Sequence, residues 1–67
     1  MSIARVTEII SSSSKSFEDA IEKGIARAAK TLKNVEGAWV KEQKVIVKNG
    51  KIAECRVDLK VTFILID

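Results

Sequence analysis

Alternation is strongest towards the C-terminal end of the chain, where Ala53, Cys55, Val57, Leu59, Val61, Phe63 and Leu65 form an unbroken apolar set at every second position. A strand with one buried face has this period. Upstream, Phe17, Ile21, Ile25, Ala28 and Leu32 recur at helical spacing, with Ala20 and Ala29 widening the stripe. They predict a helix that buries one side. Residues Ile3 to Ile10 are rich in β-branched types and alternate imperfectly, which predicts a first strand partly buried on both faces. The serine run Ser11 to Ser14 then reads as a short loop, because serine hydroxyls compete for backbone hydrogen bonds.

Boundary signals agree with these periods. Ser16 with Asp19 three residues on has the spacing of a capping box, so the helix should start near Phe17. Acidic side chains occupy its first turns, and Lys30 and Lys33 its end, as the helix macrodipole favours. Asn34 can take the left-handed conformation that closes a helix. Gly24 falls inside the helix at a cost of about 1 kcal/mol relative to Ala, which close packing on a neighbouring element would explain.

Asn49-Gly50 is a strong two-residue hairpin signal, since both residues tolerate the positive φ of a type I′ turn. With no bulge, the hairpin would pair Lys48 with Lys51, Ile46 with Ala53, Lys44 with Cys55, Glu42 with Val57, Val40 with Leu59 and Ala38 with Val61, all towards the helix. The other face would then set Gly37 across from Thr62, Trp39 from Lys60, Lys41 from Asp58, Gln43 from Arg56 and Val45 from Glu54. A one-residue slip would exchange the two faces. The fold class is therefore α+β: a β-α-β-β unit with one helix on a three-stranded antiparallel sheet.

Length then changes the picture. A 67-residue chain forms one domain, residues 1–67, and buries only about 60% of its unfolded surface, so it needs external support. With one Cys and no His, neither an internal disulfide nor a tetrahedral zinc site can supply that support. Self-association remains. The net charge of +3 arises from twelve basic and nine acidic residues spread along the chain, a weak signal for nucleic acid and an ordinary one for a solvated surface. No leader-like or membrane-spanning run occurs, and the expectation is a cytoplasmic protein without nucleic-acid or membrane partners.

Catalytic constellations are scarce. There is no His to serve as general base, the three glycines are isolated and form no phosphate loop, and Cys55 falls in the helix-facing set, where it reads as a small buried hydrophobe. The acidic residues Glu36, Glu42, Glu54 and Asp58 lack the ordered spacing of a calcium loop. No enzyme is expected and no metal site is assigned. Trp39, the single Trp, is the candidate platform for either a subunit contact or a planar ligand.

Taken together, Glu8-Ile9-Ile10, Ser16-Phe17-Glu18-Asp19-Ala20-Ile21, Ile25-Ala26-Arg27-Ala28, Lys30-Thr31-Leu32, Val40-Lys41-Glu42 and Val57 through Phe63 resemble the dodecin family along nearly the whole chain. The resemblance implies a sheet wrapped around its helix, a hollow homododecamer, and ligand storage or sequestration, with flavin (riboflavin or FMN) as the family ligand. In flavin-binding dodecins a Trp shortly after the helix stacks on the isoalloxazine ring and a Gln on the last strand bonds to its edge. Ungapped alignment places Gly37 and Arg56 at those positions. The loss of a stacking plane is worth about 1–3 kcal/mol by analogy with base stacking. Trp39 stands two residues further on, roughly 6.6 Å along a strand, on the same expected face. The candidate binding residues are accordingly Trp39, Gly37, Arg56 and Gln43. The alternative is a flavin-free shell whose polar sheet face serves subunit contacts or cation binding.

Overall fold

A computed structural model describes residues 3–65. It has the order β1 (Ile3–Ser13), α1 (Phe17–Thr31), β2 (Val35–Lys48) and β3 (Lys51–Leu65). The three strands form one antiparallel sheet in the order β1-β3-β2. The most regularly alternating strand is therefore central, with neighbours on both edges.

The helix starts as its cap requires. Ser16 is extended, and its Oγ accepts a hydrogen bond from the Asp19 amide at 3.0 Å. The reciprocal half of the box does not form: the Asp19 carboxylate accepts from the Ser13 hydroxyl and pairs with Lys23 at 3.1 Å. This explains a difference from the sequence pattern. β1 does not end at Ile10; Ser11, Ser12 and Ser13 continue it, across from Val57, Arg56 and Cys55. Ser13 is buried and anchors the first turn of α1 through Asp19, so its hydroxyl is satisfied where a loop had been expected.

The seam between helix and sheet is made of small residues. Ala20, Gly24 and Ala28, spaced four apart, are the buried residues of α1, and Phe17, Ile21, Ile25 and Leu32 flank them. They close on Val57, Leu59 and Val61, which are wholly buried. Ala29, expected to widen the stripe, is exposed, because the stripe centres on the small residues. Asn34 ends the helical segment with φ 61°, and its carbonyl accepts from the Ile64 amide at 3.1 Å, which fixes the start of β2 against β3.

The hairpin closes at Asn49 and Gly50 with φ of 53° and 72°, as its sequence requires. Three irregularities interrupt the ladder, between Val35 and Gly37, Val40 and Glu42, and Ile46 and Val47. The expected pairs Lys48 with Lys51, Val40 with Leu59, Ala38 with Val61, Trp39 with Lys60 and Gly37 with Thr62 are present. Between the bulges the register moves by one residue: Glu42 faces Asp58, Gln43 faces Val57, Lys44 faces Arg56, Val45 faces Cys55 and Ile46 faces Glu54. The no-bulge pairings over this stretch, including Lys41 with Asp58 and Gln43 with Arg56, are thereby corrected. A bulge inserts one unpaired residue and turns the following side chains to the other face.

The chain is extended, 51 × 19 × 14 Å, with a radius of gyration of 13.7 Å; a compact domain of this length has about 11 Å. Its accessible surface of 5053 Å² exceeds by about a fifth the value expected from its mass. Ile3, Ile10, Trp39, Val47 and Ile52 are among the large apolar side chains left in the open. Such exposure marks surfaces that other molecules cover.

Candidate functional site

The sheet face turned away from α1 carries the chemistry. Thr7, Ile9 and Ser11 of β1 lie beside Val61, Leu59 and Val57 on the helix side, so Val6, Glu8, Ile10 and Ser12 occupy the outer side with Thr62, Lys60, Asp58 and Arg56. From β2 the outer face receives Gly37 and Trp39 above the bulge, and Glu42, Lys44 and Ile46 below it. Trp39 lies directly across from Lys60 and is 61% exposed. It presents a flat aromatic surface with a cation next to it.

Gly37, one outer-face position along from Trp39, is covered by no side chain of its own. A β-carbon there would meet nothing nearer than Thr62 Oγ1 at 3.6 Å, so the slot is open. The Thr62 hydroxyl donates to the Gly37 carbonyl at 3.1 Å and pins the backbone. At the other end of the face, the Arg56 guanidinium donates to Ser12 Oγ at 3.2 Å and to Glu54 Oε1 at 2.7 Å. Arg56 with Ser12 holds the Glu54 carboxyl below its ordinary range. Gln43 does not join this group: it pairs with Val57 and so falls on the helix side of the sheet. The structure brings Trp39, Gly37 and Arg56 to one face and leaves Gln43 out.

Lys41, Glu8 and Asp58 complete the face. Lys41, the extra residue of the bulge, reaches across β3 to Glu8 Oε2 on β1 at 3.4 Å. Glu8 and Asp58 lie on adjacent strands within hydrogen-bonding reach of each other. The Asp58 carboxyl is pushed up by this contact and by burial, while the Glu8 carboxyl is drawn down by Asp58 first and by Lys41 after it. Asp58 Oδ1 is shielded from solvent and has no hydrogen-bond partner among the described residues. Asp58, Arg56, Lys44, Glu42 and Ile10 line a cavity of about 150 Å³. A larger groove of about 430 Å³ lies on the other side, between α1 and β1, away from Trp39.

Sequence pattern placed Lys60 beside Trp39 but missed Glu8 and the true partner of Lys41. No local signal marks them, since the pairing of β1 with β3 joins residues about fifty positions apart. The face offers an exposed aromatic plane at Trp39, an open slot at Gly37, and cationic donors at Lys60 and Arg56. Among the described residues no group of three or more acidic or Cys side chains is placed to hold a metal ion, and no helix is long and apolar enough to cross a membrane.

These features define a small β-α-β-β protein that keeps its helix on one side of the sheet and an aromatic, charged surface on the other. The family model described as Dodecin matches residues 3–65, and the chain belongs to the dodecin family. Among solved structures, the dodecin from Streptomyces davaonensis is 36% identical, with 98% of this chain and 97% of that one covered and a TM-score of 0.93. A mutant of the dodecin from T. thermophilus is 30% identical over 100% of both chains, also at 0.93. A calcium-chelating dodecin from Mycobacterium tuberculosis is 30% identical over 91% of this chain and 87% of its own, at a TM-score of 0.81. A comparison with curated proteins found no match.

Proposed function

We propose that this chain assembles as a homododecamer that binds and stores a small planar ligand on the outer sheet face, without turning it over. Flavin, as riboflavin or FMN, is the first ligand to test. Trp39 carries the proposal: 61% exposed, across from Lys60 and next to the open Gly37 slot, it can stack on a ring that in flavin-binding dodecins rests on a Trp two positions earlier. Arg56 would donate to a ring carbonyl or phosphate, and having no acceptor it cannot take a ring N–H. Gln43 keeps a role only if it belongs to a neighbouring copy's pocket, since it faces the other side within its own chain. Assembly is supported by the extended shape and the apolar side chains left open.

The test is a titration of purified protein with riboflavin and with FMN, followed by flavin and Trp39 fluorescence. Mutual quenching is expected; none at micromolar protein refutes the flavin assignment. A second reading, a flavin-free shell, rests on the same exposure of Trp39, which would then cover a subunit contact. The calcium-chelating relative raises cation binding for this shell. With no suitable ligand group within the described residues of one chain, such a cation would be held between copies.

A further inference from the structure

We propose that Glu8 and Asp58 hold one proton between them, and that this proton sets the charge of the ligand-facing sheet surface. The pair rests on the diagonal placement of Glu8 and Asp58 on adjacent strands and on the shielded, unpartnered oxygen of Asp58; its effect on a ligand rests on the binding proposed above.

Asp58 Oδ1 is closed to solvent, and no N–H or O–H of the described residues reaches it. A shielded carboxylate oxygen left so costs free energy that native structures avoid. Two of the nearby cations are committed elsewhere: Arg56 to Ser12 and Glu54, Lys41 to Glu8. Lys60 lies across from Glu8 on one side and Trp39 on the other. The remaining charged neighbours on β2 are Glu42, directly opposite Asp58, and Lys44, opposite Arg56. Glu42 makes the environment more negative. α1 lies on the other side of the sheet and contributes no charge. The neighbour that can satisfy Asp58 is the Glu8 carboxyl, and two carboxyls in contact do so by sharing a proton.

The two sites divide that proton unequally. Lys41 stabilises the ionised form of Glu8, whereas Asp58 has burial, Glu8 and Glu42 against its ionised form. The proton therefore resides on Asp58, which donates to Glu8. As pH rises and the proton leaves, the face gains one negative charge beside Trp39 and Arg56. An anionic ligand is then disfavoured relative to a neutral one of the same shape, by about twofold to tenfold for a charge roughly 10 Å away.

Infrared spectroscopy of the ligand-free assembled protein reads the pair directly. A carbonyl band of protonated carboxyl should persist above the ordinary Asp range, near about 3.9, and be missing in Asp58→Asn. Glu8→Gln provides the second variant: its amide can donate to Asp58, so the band should titrate away at lower pH than in the wild type. A band that disappears within the ordinary range, or that survives unchanged in both variants, overturns the pair. Riboflavin and FMN titrations on either side of the infrared step test the consequence. FMN affinity should fall relative to riboflavin in the wild type and not in Asp58→Asn; identical behaviour of the two proteins overturns the ligand linkage. If neither flavin binds at any pH, the flavin assignment fails and the linkage with it, while the infrared step still decides the pair.

Discussion

Gly24 of α1 packs so tightly on Leu59 of β3 that a β-carbon built at Gly24 would lie 2.9 Å from Leu59 Cδ1, with Ser11 Cβ at 3.1 Å on the other side. Leu59 is wholly buried, so it has little room to withdraw. This contact accounts for the glycine that interrupts an otherwise good helix. Replacing it by Ala recovers about 1 kcal/mol of helix propensity and incurs about 1–3 kcal/mol of overpacking. Gly24→Ala should therefore be net destabilising, by about 1 kcal/mol. Chemical denaturation at fixed protein concentration measures it; a midpoint equal to or above that of the wild type would contradict the packing account.

The other two glycines give contrasting expectations. Gly50 has φ of 72° and no neighbour within 4 Å of a β-carbon, so Gly50→Ala meets backbone strain alone, about 1–2 kcal/mol. Gly37 has ordinary backbone and a contact of 3.6 Å. Gly37→Ala should change stability by less than about 0.5 kcal/mol. The same denaturation series ranks all three, and a Gly37→Ala protein as unstable as Gly50→Ala would show that the slot is not open.

Acid stability should depend on Ser13. Its hydroxyl is the foremost reason that the Asp19 carboxyl titrates below its ordinary value of 3.8, with Lys23 second. Since the folded value is depressed, the stabilisation is present above the unfolded value and is lost as pH falls through the lowered folded one. Ser13→Ala raises the folded value, so acid unfolding should begin at higher pH than in the wild type. Circular dichroism across the acid range checks this. Superimposable acid limbs would remove Ser13 from the account. Ser16→Ala removes the cap bond to the Asp19 amide and should lower stability by about 1 kcal/mol.

Trp39→Ala separates the two functional readings. A stacking role predicts flavin affinity weakened by about 1–3 kcal/mol with assembly intact by sedimentation. A subunit-contact role predicts smaller species instead. Dodecameric Trp39→Ala that binds flavin as well as the wild type would dismiss both roles for this side chain.

Much of this protein was settled by its sequence alone, because the determining signals are local. The cap at Ser16, the left-handed Asn34 and the Asn49-Gly50 turn act over a few residues, and the alternation of β3 states its buried face directly. Trp39 across from Lys60 follows from counting outward from that turn. Counting fails where the ladder gains residues. The bulge near Ala53 shifts the register and the one at Lys41 restores it, so Gln43 turns to the helix side while Trp39 keeps its face. Neither bulge carries a glycine or another local mark. The extension of β1 through Ser13 depends likewise on Asp19, six residues away across a turn. Above all, the meeting of Glu8 with Asp58 and the reach of Lys41 to Glu8 exist only because β3 lies between β1 and β2. That strand order is a long-range choice made by burial of the central strand, and only the tertiary structure decided it.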